Sequence, residues 1–271
     1  MSASDPNTLV SPPPLTSESG RRTVLVALAV CLVCSVLVAG AAVALKPTQA
    51  ANQEADRKRN IVEVAGLMAP GLSVTQAFEK VDVQLIELAT GTPSDAFDPG
   101  VFDIVKAGKD PALSDPLTRR NDVAQIKRKP KYLPVYRVSG PDGELKTLIL
   151  PVYGYGLWST LYGFLALEGD LRTVQGLKFY QHAETPGLGG EVDNPKWRAL
   201  WRGKVVFDEQ WRPRVELVKG SVDPSAPDAA HKIDGLAGAT LTSRGVTNLL
   251  NFWLGDEGYA PYLARLRQAR S

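Results

Sequence analysis

Histidine and cysteine are scarce in this 271-residue chain, and their scarcity limits the chemistry that it can carry. The two histidines, His182 and His231, are too few and too far apart in sequence to indicate a metal cluster. The two cysteines, Cys31 and Cys34, form a C-x-x-C motif inside the most apolar stretch of the chain. We therefore expect them to act as small apolar side chains and not as metal or redox groups. The sequence predicts no metal site and no disulfide.

The chain also lacks a large net charge and a dinucleotide-binding motif. Its net charge of +2 gives no strong attraction to nucleic acid. Its basic clusters, at residues 57–59 and 127–131, have no interleaved aromatic residues that could stack on bases. No G-x-G-x-x-G sequence follows a predicted strand, so the chain has no recognisable site for NADH. We expect no nucleic-acid partner and interpret the basic clusters as solvated surface.

A long uncharged run lies near the N-terminus, behind a polar tail at residues 1–22 that we predict to be disordered. Residues 23–45 contain no charge and are long enough to cross the core of a bilayer. A signal peptide would have a shorter apolar region, so we predict a retained transmembrane helix. Basic residues stand on both sides of the run, at Arg21–Arg22 and at residues 46–59. Charge counting therefore leaves the orientation open.

The rest of the chain mixes helix and strand signals. Pro47 should break or bend the helix, and residues 46–66 then predict an amphipathic helical linker that ends at Gly66. Alternating and β-branched patterns predict strands at 81–88, 133–138 and 145–152, a hairpin turning at Gly169-Asp170, and helices at 192–203 and 243–255. This mixture predicts an α+β fold with a mostly antiparallel sheet over residues 67–271.

The stretch "GLAGATLTSRG", residues 235–245, places glycines and hydroxyls just before the apolar helix pattern. Thr242 or Ser243 is the expected N-cap of that helix. Its first turn would offer free N–H groups and the positive end of the helix dipole, and Gly238 would let the backbone approach an anion closely. The pattern fits either an ordinary capped helix or a site that holds a phosphate.

Two further segments admit both a structural and a functional interpretation. "HAETPGLGGEVDNPKW", residues 182–197, is either a polar turn or a loop whose backbone N–H groups clasp a planar ligand. His182 and Glu184 could form an acid–base pair, although no third group supports a hydrolytic site. "PVYGYGLWSTLYG", residues 151–163, alternates glycine with aromatic residues, which fits either core packing or the lining of a flat aromatic ligand.

Taken in order along the chain, these three segments resemble the C-type subunit of the bacterial sodium-translocating NADH:quinone oxidoreductase. The resemblance extends from about residue 20 to the C-terminus and includes the helix after the apolar run. The glycine–threonine motif alone also occurs in the homologous G-type subunit of a related ferredoxin-linked electron-transport complex. The tryptophan-bearing segment and the loop from His182 favour the quinone-reductase family. A cofactor-free anchored assembly module is the alternative from a different functional class.

The resemblance implies FMN joined by a phosphoester bond to Thr240, and a flavin transferase that uses FAD and magnesium to install it. Ala237 and Ala183 depart from the family's usual residues, but neither change removes the hydroxyl that accepts the flavin. The other cofactor-binding residues that the resemblance implies are Gly238, Ala239, Thr242, Ser243, Leu157, Trp158, Glu184, Thr185, Gly187, Leu188 and Gly189.

The resemblance also implies a place in the cell and a role. It puts the chain in the bacterial inner membrane as a single-pass protein, with a cytoplasmic N-terminus and a periplasmic FMN-binding domain over residues 67–271. Its partners would be membrane lipid, the other members of a multi-subunit complex and, during maturation, the flavin transferase. The chain would relay electrons through FMN in sodium-pumping NADH:quinone oxidation–reduction, with no catalysis expected of it in isolation.

Overall fold

The computed structural model describes residues 18–269, which fall into two compact units that divide between Glu54 and Ala55. The helices are α1 (Glu18–Val64), α2 (Val74–Phe78), α3 (Ile104–Lys109), α4 (Pro195–Ala199), α5 (Thr240–Leu254) and α6 (Ala260–Gln268). The strands are β1 (Val81–Glu87), β2 (Thr92–Pro93), β3 (Ser114–Pro116), β4 (Arg128–Pro130), β5 (Tyr132–Ser139), β6 (Leu145–Tyr155), β7 (Thr160–Glu168), β8 (Val174–Gln181), β9 (Glu216–Val218) and β10 (Lys232–Asp234). Short 3-10 helices cover Gly189–Asp193 and Ala229–His231.

The first unit contains the apolar part of α1. Within residues 18–269, α1 is the one helix long and apolar enough to cross a membrane, with a mean hydropathy of 2.9 in its most apolar 18-residue window. The apolar side chains of this window are exposed, and the free thiols of Cys31 and Cys34 lie on the same exposed helix. The predicted tail lies outside the described residues except for its last five, 18–22, which belong to α1.

The helix continues through Pro47, so of the two predicted effects of this proline a break is wrong, while a bend stays a prediction. A proline removes one backbone N–H donor and crowds the preceding turn. The residues around it include Lys46, Gln49 and Ala50, which favour helix strongly enough to continue the pattern on both sides. Only the final turns of α1, from Ala55 onward, belong to the second unit.

The second unit is built on a six-stranded antiparallel sheet in the order β2-β1-β5-β6-β7-β8. This sheet confirms the predicted α+β class. The predicted hairpin is also confirmed, because β7 and β8 pair on either side of a turn at Gly169-Asp170. The Asp170 carboxylate accepts the backbone N–H groups of Arg172 and Thr173 at 2.9 and 2.8 Å, which fixes the turn.

Each face of the sheet buries a different helix. The end of α1 packs Ile61 and Val64 against one face, beside Tyr136 and Phe164. The other face carries the larger core, which includes the apolar side of α5 and the start of α6. The α5 residues with helical spacing in the sequence are all buried, namely Val246, Leu249, Leu250, Trp253 and Leu254. Each such side chain contributes about 1.5–3 kcal/mol to the free energy of unfolding.

Close approach of α5 to β6 depends on glycine. A Cβ at Gly154 of β6 would lie 2.5 Å from the Leu249 Cβ atom of α5, nearer than two such atoms can approach. A Cβ at Gly245 of α5 would lie 2.5 Å from the Tyr155 carbonyl oxygen. These two glycines let the beginning of α5 lie directly against the end of β6, and so they place residues 240–245 beside residues 155–159.

Candidate functional site

The prediction that Thr242 or Ser243 is the N-cap of α5 is wrong, because the helix begins at Thr240, three or four residues before the start that such an N-cap would give. Its N-cap residue is Ala239, and among residues 18–269 no side chain caps the helix. The first-turn N–H groups and the positive end of the helix dipole therefore meet no side-chain acceptor. The Thr240 hydroxyl stands at this turn on an exposed residue.

The neighbouring hydroxyls do not cap the helix because they serve the tertiary structure. The Thr242 hydroxyl donates to the Glu184 carboxylate at 2.7 Å, and Thr242 is fully buried. The Ser243 hydroxyl accepts the N–H of Leu236 at 3.0 Å and holds the preceding loop against the helix. Of the three hydroxyls in the motif, only that of Thr240 belongs to an exposed residue.

Glu184 joins the three segments that the sequence singled out. Besides the Thr242 hydroxyl, its carboxylate accepts the backbone N–H groups of Leu157, Trp158 and Ser159 at 3.0–3.2 Å. We call Glu184 and these four donors the Glu184 junction. It fixes the turn after β6, the loop after β8 and the first turn of α5 to one another. The three segments, far apart in sequence, thus form one site.

The Glu184 junction holds a charged carboxylate. Burial of Glu184 raises its pKa, but the hydrogen bonds from Thr242, Trp158, Ser159 and Leu157 together outweigh burial and lower the pKa below its usual range. Both oxygens accept hydrogen bonds, Oε1 from the N–H groups of residues 157–159 and Oε2 from the Thr242 hydroxyl. This carboxylate is suited to hold structure and not to move a proton.

The prediction that His182 and Glu184 form an acid–base pair is wrong, because the ring of His182 is hydrogen-bonded to the backbone of Glu184 and not to its carboxylate. The backbone N–H of Glu184 donates to the His182 Nδ1 atom at 3.2 Å. The Nε2 atom of His182 lies 2.9 Å from the Asp193 carboxylate. Because Nδ1 accepts, Nε2 carries the proton and donates to Asp193. His182 therefore fixes the start of the loop.

Glycines are needed where the loop meets the Glu184 junction. A Cβ at Gly189 would lie 2.6 Å from the Thr242 hydroxyl oxygen and 2.7 Å from a Glu184 carboxylate oxygen. Gly187, in the same loop, has a φ of +75° but would place a Cβ in open space. One glycine is required by packing, and the other only by its backbone conformation.

This difference predicts unequal effects of two alanine substitutions. Gly187→Ala should lower the free energy of unfolding by about 1 kcal/mol through backbone strain alone. Gly189→Ala should lower it by about 2–3 kcal/mol, because the new methyl displaces the buried carboxylate. Thermal unfolding of the full-length chain in detergent, followed by tryptophan fluorescence, measures both. Equal melting temperatures would contradict this account of the junction.

An apolar rim surrounds the site. We define the apolar rim as the exposed side chains of Trp158, Leu188 and Leu241, which are 66%, 43% and 51% exposed. Leu188 lies over the glycine loop, because a Cβ at Gly238 would be 2.8 Å from its Cδ2 atom, and Gly238 has a φ of +71°. Tyr153, by contrast, is buried against Trp253 and belongs to the core. In the aromatic segment, Tyr153 therefore packs in the core, whereas Trp158 is exposed and is available to line a flat ligand.

A cavity of about 710 Å³ opens beside Thr240, between residues 216–220 and one face of α5. Its lining residues are Glu216, Leu217, Val218, Lys219, Gly220, Gly235, Leu236, Ala237, Gly238, Thr240, Ser243, Arg244 and Thr247. Sequence reasoning missed Arg244 and Lys219. Arg244 follows Thr240 by four residues, a spacing that would have placed both on one helix face. Nothing in the sequence pattern indicated Lys219, since β9 has only three residues.

The structure brings most of the predicted cofactor-binding residues together. Leu157, Trp158, Glu184, Thr242 and Gly189 lie at the Glu184 junction, while Gly238, Thr240 and Ser243 line the cavity. Ala239 is the buried N-cap residue of α5. The Thr185 carbonyl accepts the N–H groups of Leu188 and Gly190 at 3.1 and 2.9 Å, which closes the loop. That these residues contact a cofactor stays a prediction.

Three features of this structure fit a flavin nucleotide. An uncapped helix start suits a phosphate, a left-handed glycine allows its close approach, and an exposed apolar rim suits a flat ring. The cavity of about 710 Å³ is in the range of small-molecule and cofactor sites.

Comparison with known proteins gives consistent matches. The model of the FMN-binding domain family matches residues 156–255. A protein of Pseudomonas aeruginosa, the C-type subunit of the Na(+)-translocating NADH-quinone reductase, is 60% identical over 258 residues, 94% of this chain and 98% of that protein. Its counterpart in Yersinia pestis, which carries the same name, is 44% identical over 96% of this chain and 98% of its own length.

Solved structures match as well. The crystal structure of Shewanella oneidensis NqrC covers 80% of this chain and 99% of that chain, with a TM-score of 0.73 and 33% sequence identity. The crystal structure of the C-type Na(+)-translocating NADH-quinone reductase subunit from Parabacteroides distasonis covers 81% of this chain and 96% of that chain, with a TM-score of 0.61 and 25% identity.

Proposed function

This chain belongs to the NqrC family, the C-type subunits of the Na(+)-translocating NADH-quinone reductases, and from that membership we propose that it carries FMN as a phosphoester on Thr240. As a member of this family it is a flavoprotein component of a multi-subunit reductase. Bound FMN supplies reversible electron transfer, and we propose that the chain relays electrons in this way between its neighbours in the complex.

The observation that carries the proposal is that Thr240 is an exposed residue in the first turn of a 15-residue helix that no side chain of residues 18–269 caps. A phosphoryl group on this oxygen would lie where the N–H groups and the helix dipole favour negative charge. Thr242 and Ser243 are buried and engaged in hydrogen bonds, so they offer no comparable attachment point.

In the proposed attachment, one phosphorus–oxygen bond replaces another. The Thr240 hydroxyl gives up its proton, which passes to solvent, and its oxygen forms the new bond to the phosphorus on the flavin side of FAD. The bond between the two phosphates of FAD breaks, and AMP leaves. The flavin transferase and its magnesium supply the activation, so Thr240 needs no general base of its own. The lowered pKa of Glu184 is consistent with that, because its charge is held by the Glu184 junction.

The rest of the site is suited to position the ring. The apolar rim offers Trp158 and Leu188 as apolar contacts. In the loop of residues 185–189, Pro186 has no N–H and the N–H of Leu188 donates to the Thr185 carbonyl, so the N–H groups of Thr185, Gly187 and Gly189 are the ones that could reach a ring. N–H groups aimed at the polar edge of a flavin ring shift its potential. The Glu184 junction keeps both surfaces in a fixed relation to Thr240, which limits the freedom of a tethered ring.

We further propose that α1 anchors the chain in the inner membrane, in contact with lipid, with a cytoplasmic N-terminus and a periplasmic second unit. The exposed apolar side chains of α1 support the anchor. The family membership supports the choice of complex over the alternatives, which are the homologous component of a ferredoxin-linked complex and a cofactor-free assembly module.

Purification of the native complex through a C-terminal tag on this chain tests the proposal. We expect the other components of a Na(+)-translocating NADH-quinone reductase and covalent flavin on this chain. Protease added to intact spheroplasts should digest the second unit, without any need to disrupt the membrane first. Recovery of a ferredoxin-linked complex, a chain without flavin, or a protected second unit would each contradict one part of it.

A further inference from the structure

Two cationic side chains line the cavity beside Thr240 and serve neither the Glu184 junction nor the apolar rim. Arg244 lies on α5, and Lys219 follows β9 on the opposite wall. In the part of the chain that the structure describes, neither side chain forms a hydrogen bond or an ion pair. Both residues are exposed, and because they border one cavity beside Thr240, both are available to an anion bound there.

The helix geometry directs Arg244 toward Thr240. Residues four apart on a helix lie on the same face, with Cβ atoms about 5–6 Å apart. Side chains on a helix also lean toward its N-terminus. This geometry allows the guanidinium of Arg244 to reach along the cavity wall toward the turn that carries the Thr240 hydroxyl, since both residues line the same cavity.

The opposite wall is held firmly enough to place Lys219. Strand β9 pairs in parallel with β10, with Leu217 opposite Ile233. The Leu217 N–H donates to the Thr247 hydroxyl of α5 at 3.0 Å, and the Gly235 N–H donates to the Gly220 carbonyl at 3.1 Å. Lys219 thus stands between two anchored residues, across the cavity from α5.

The charge balance of the cavity is positive near Thr240. Glu216 is the one carboxylate in the lining, and its charge is directed partly at Lys232. Asp228 first, and Glu216 in addition, raise the pKa of Lys232. The helix dipole of α5 adds further positive potential at the turn of Thr240.

We propose that Arg244 and Lys219 form a cationic clamp for the phosphoryl group carried by Thr240. The clamp rests on the proposed attachment of FMN and adds two residues to those that the sequence predicted. A phosphodiester keeps one negative charge on two free oxygens. The planar fork of Arg244 matches two such oxygens, while Lys219 supplies a compact charge from the other side.

The rate of flavin attachment tests the clamp. The full-length chain in detergent is mixed with purified flavin transferase, FAD and magnesium, and intact mass is followed with time. We expect Arg244→Gln to slow modification by about tenfold, as loss of one charge-assisted hydrogen bond predicts. Lys219→Gln should slow it less, the double variant more, and Arg244→Lys should restore part of the rate.

Arg119→Gln is the matched control. Arg119 is exposed and lies two residues before Asn121, whose side chain contacts Glu257 beyond the far end of α5. This variant should be modified at the wild-type rate. Added salt should slow the wild type more than the double variant, since salt screens the charges that the double variant lacks. A purely structural effect of the substitutions would not change this salt dependence.

The outcomes separate the clamp from the proposed function. Wild-type rates in Arg244→Gln and in the double variant would overturn the clamp and leave the attachment at Thr240 intact. A wild-type chain that never gains flavin would overturn the attachment itself. If Arg244→Gln lowers the melting temperature, Arg244→Lys and Lys219→Gln decide the matter, because each alters the clamp while preserving the other cation.

Discussion

Replacing Thr240 by alanine should abolish covalent flavin completely. The wild-type chain, made in a host with the flavin transferase, should exceed its sequence mass by one FMN less one water. Thr240→Ala should show no such increment, because the other hydroxyls of the motif, on Thr242 and Ser243, are buried and engaged. Intact mass and in-gel flavin fluorescence after denaturation measure the result directly.

Thr247→Ala is the matched control for this substitution. Thr247 lies on the same helix and lines the same cavity, but its hydroxyl accepts the N–H of Leu217. This variant should keep the full mass increment. Retention of the increment in Thr240→Ala would show that the flavin attaches elsewhere, and its loss from Thr247→Ala would show that the assay reports damage to the helix instead of attachment.

Replacing Glu184 by glutamine should open the site without removing the attachment residue. The glutamine amide keeps one oxygen for the N–H groups of residues 157–159, but that oxygen carries no charge and these hydrogen bonds weaken. The NH2 group that replaces the second oxygen is a donor, so the hydrogen bond that this oxygen accepted from the Leu157 N–H is lost. A lost hydrogen bond to a buried charged group costs about 1.5–3 kcal/mol. Hydrogen exchange at these amides should therefore quicken by roughly 10- to 100-fold, as local opening becomes easier.

Glu191→Gln controls for a charge change in the same loop. The Glu191 carboxylate accepts the side-chain amide of Asn194 at 2.7 Å and takes no part in the Glu184 junction. Exchange at residues 157–159 should be unchanged in this variant. Equal exchange rates in the wild type and in Glu184→Gln would contradict the bracing role of Glu184.

The lowered pKa of Glu184 also predicts that the folded chain loses stability in acid. The pKa of Glu184 is lowered in the folded chain from its ordinary value of 4.5. Its stabilising contribution is therefore fully present above that value and is lost as the pH falls through the lower, folded pKa. Below pH 4.5 the melting temperature of the wild type should approach that of Glu184→Gln, while near neutrality the two should differ most.

The sequence predicted the elements whose patterns are local. The strands carry β-branched and apolar runs, the hairpin has its Gly169-Asp170 turn, and α5 shows a helical period over Val246–Leu254. Short elements such as α2, α3 and β9 contain too few residues to show a period. The helix does not break at Pro47 because the helix propensity of the residues around it outweighs its missing N–H donor.

The sequence predicted most of the residues of the site but not how they are arranged. The motifs named most of the residues, yet the start of α5 depends on contacts that no local pattern contains. Thr242 and Glu184 are 58 positions apart in sequence, and their hydrogen bond removes Thr242 from the role of N-cap. Lys219 enters the cavity only because β9 pairs with β10, which also depends on the tertiary fold.

Locating the flavin within one peptide tests the central claim most directly. Trypsin should release residues 233–244 of the native protein, since Lys232 precedes this segment and Arg244 ends it. Its hydroxyls are those of Thr240, Thr242 and Ser243, so fragmentation in the mass spectrometer can assign the modified one. We predict that the FMN increment lies on Thr240. An unmodified peptide, or an increment on Thr242 or Ser243, would contradict the account.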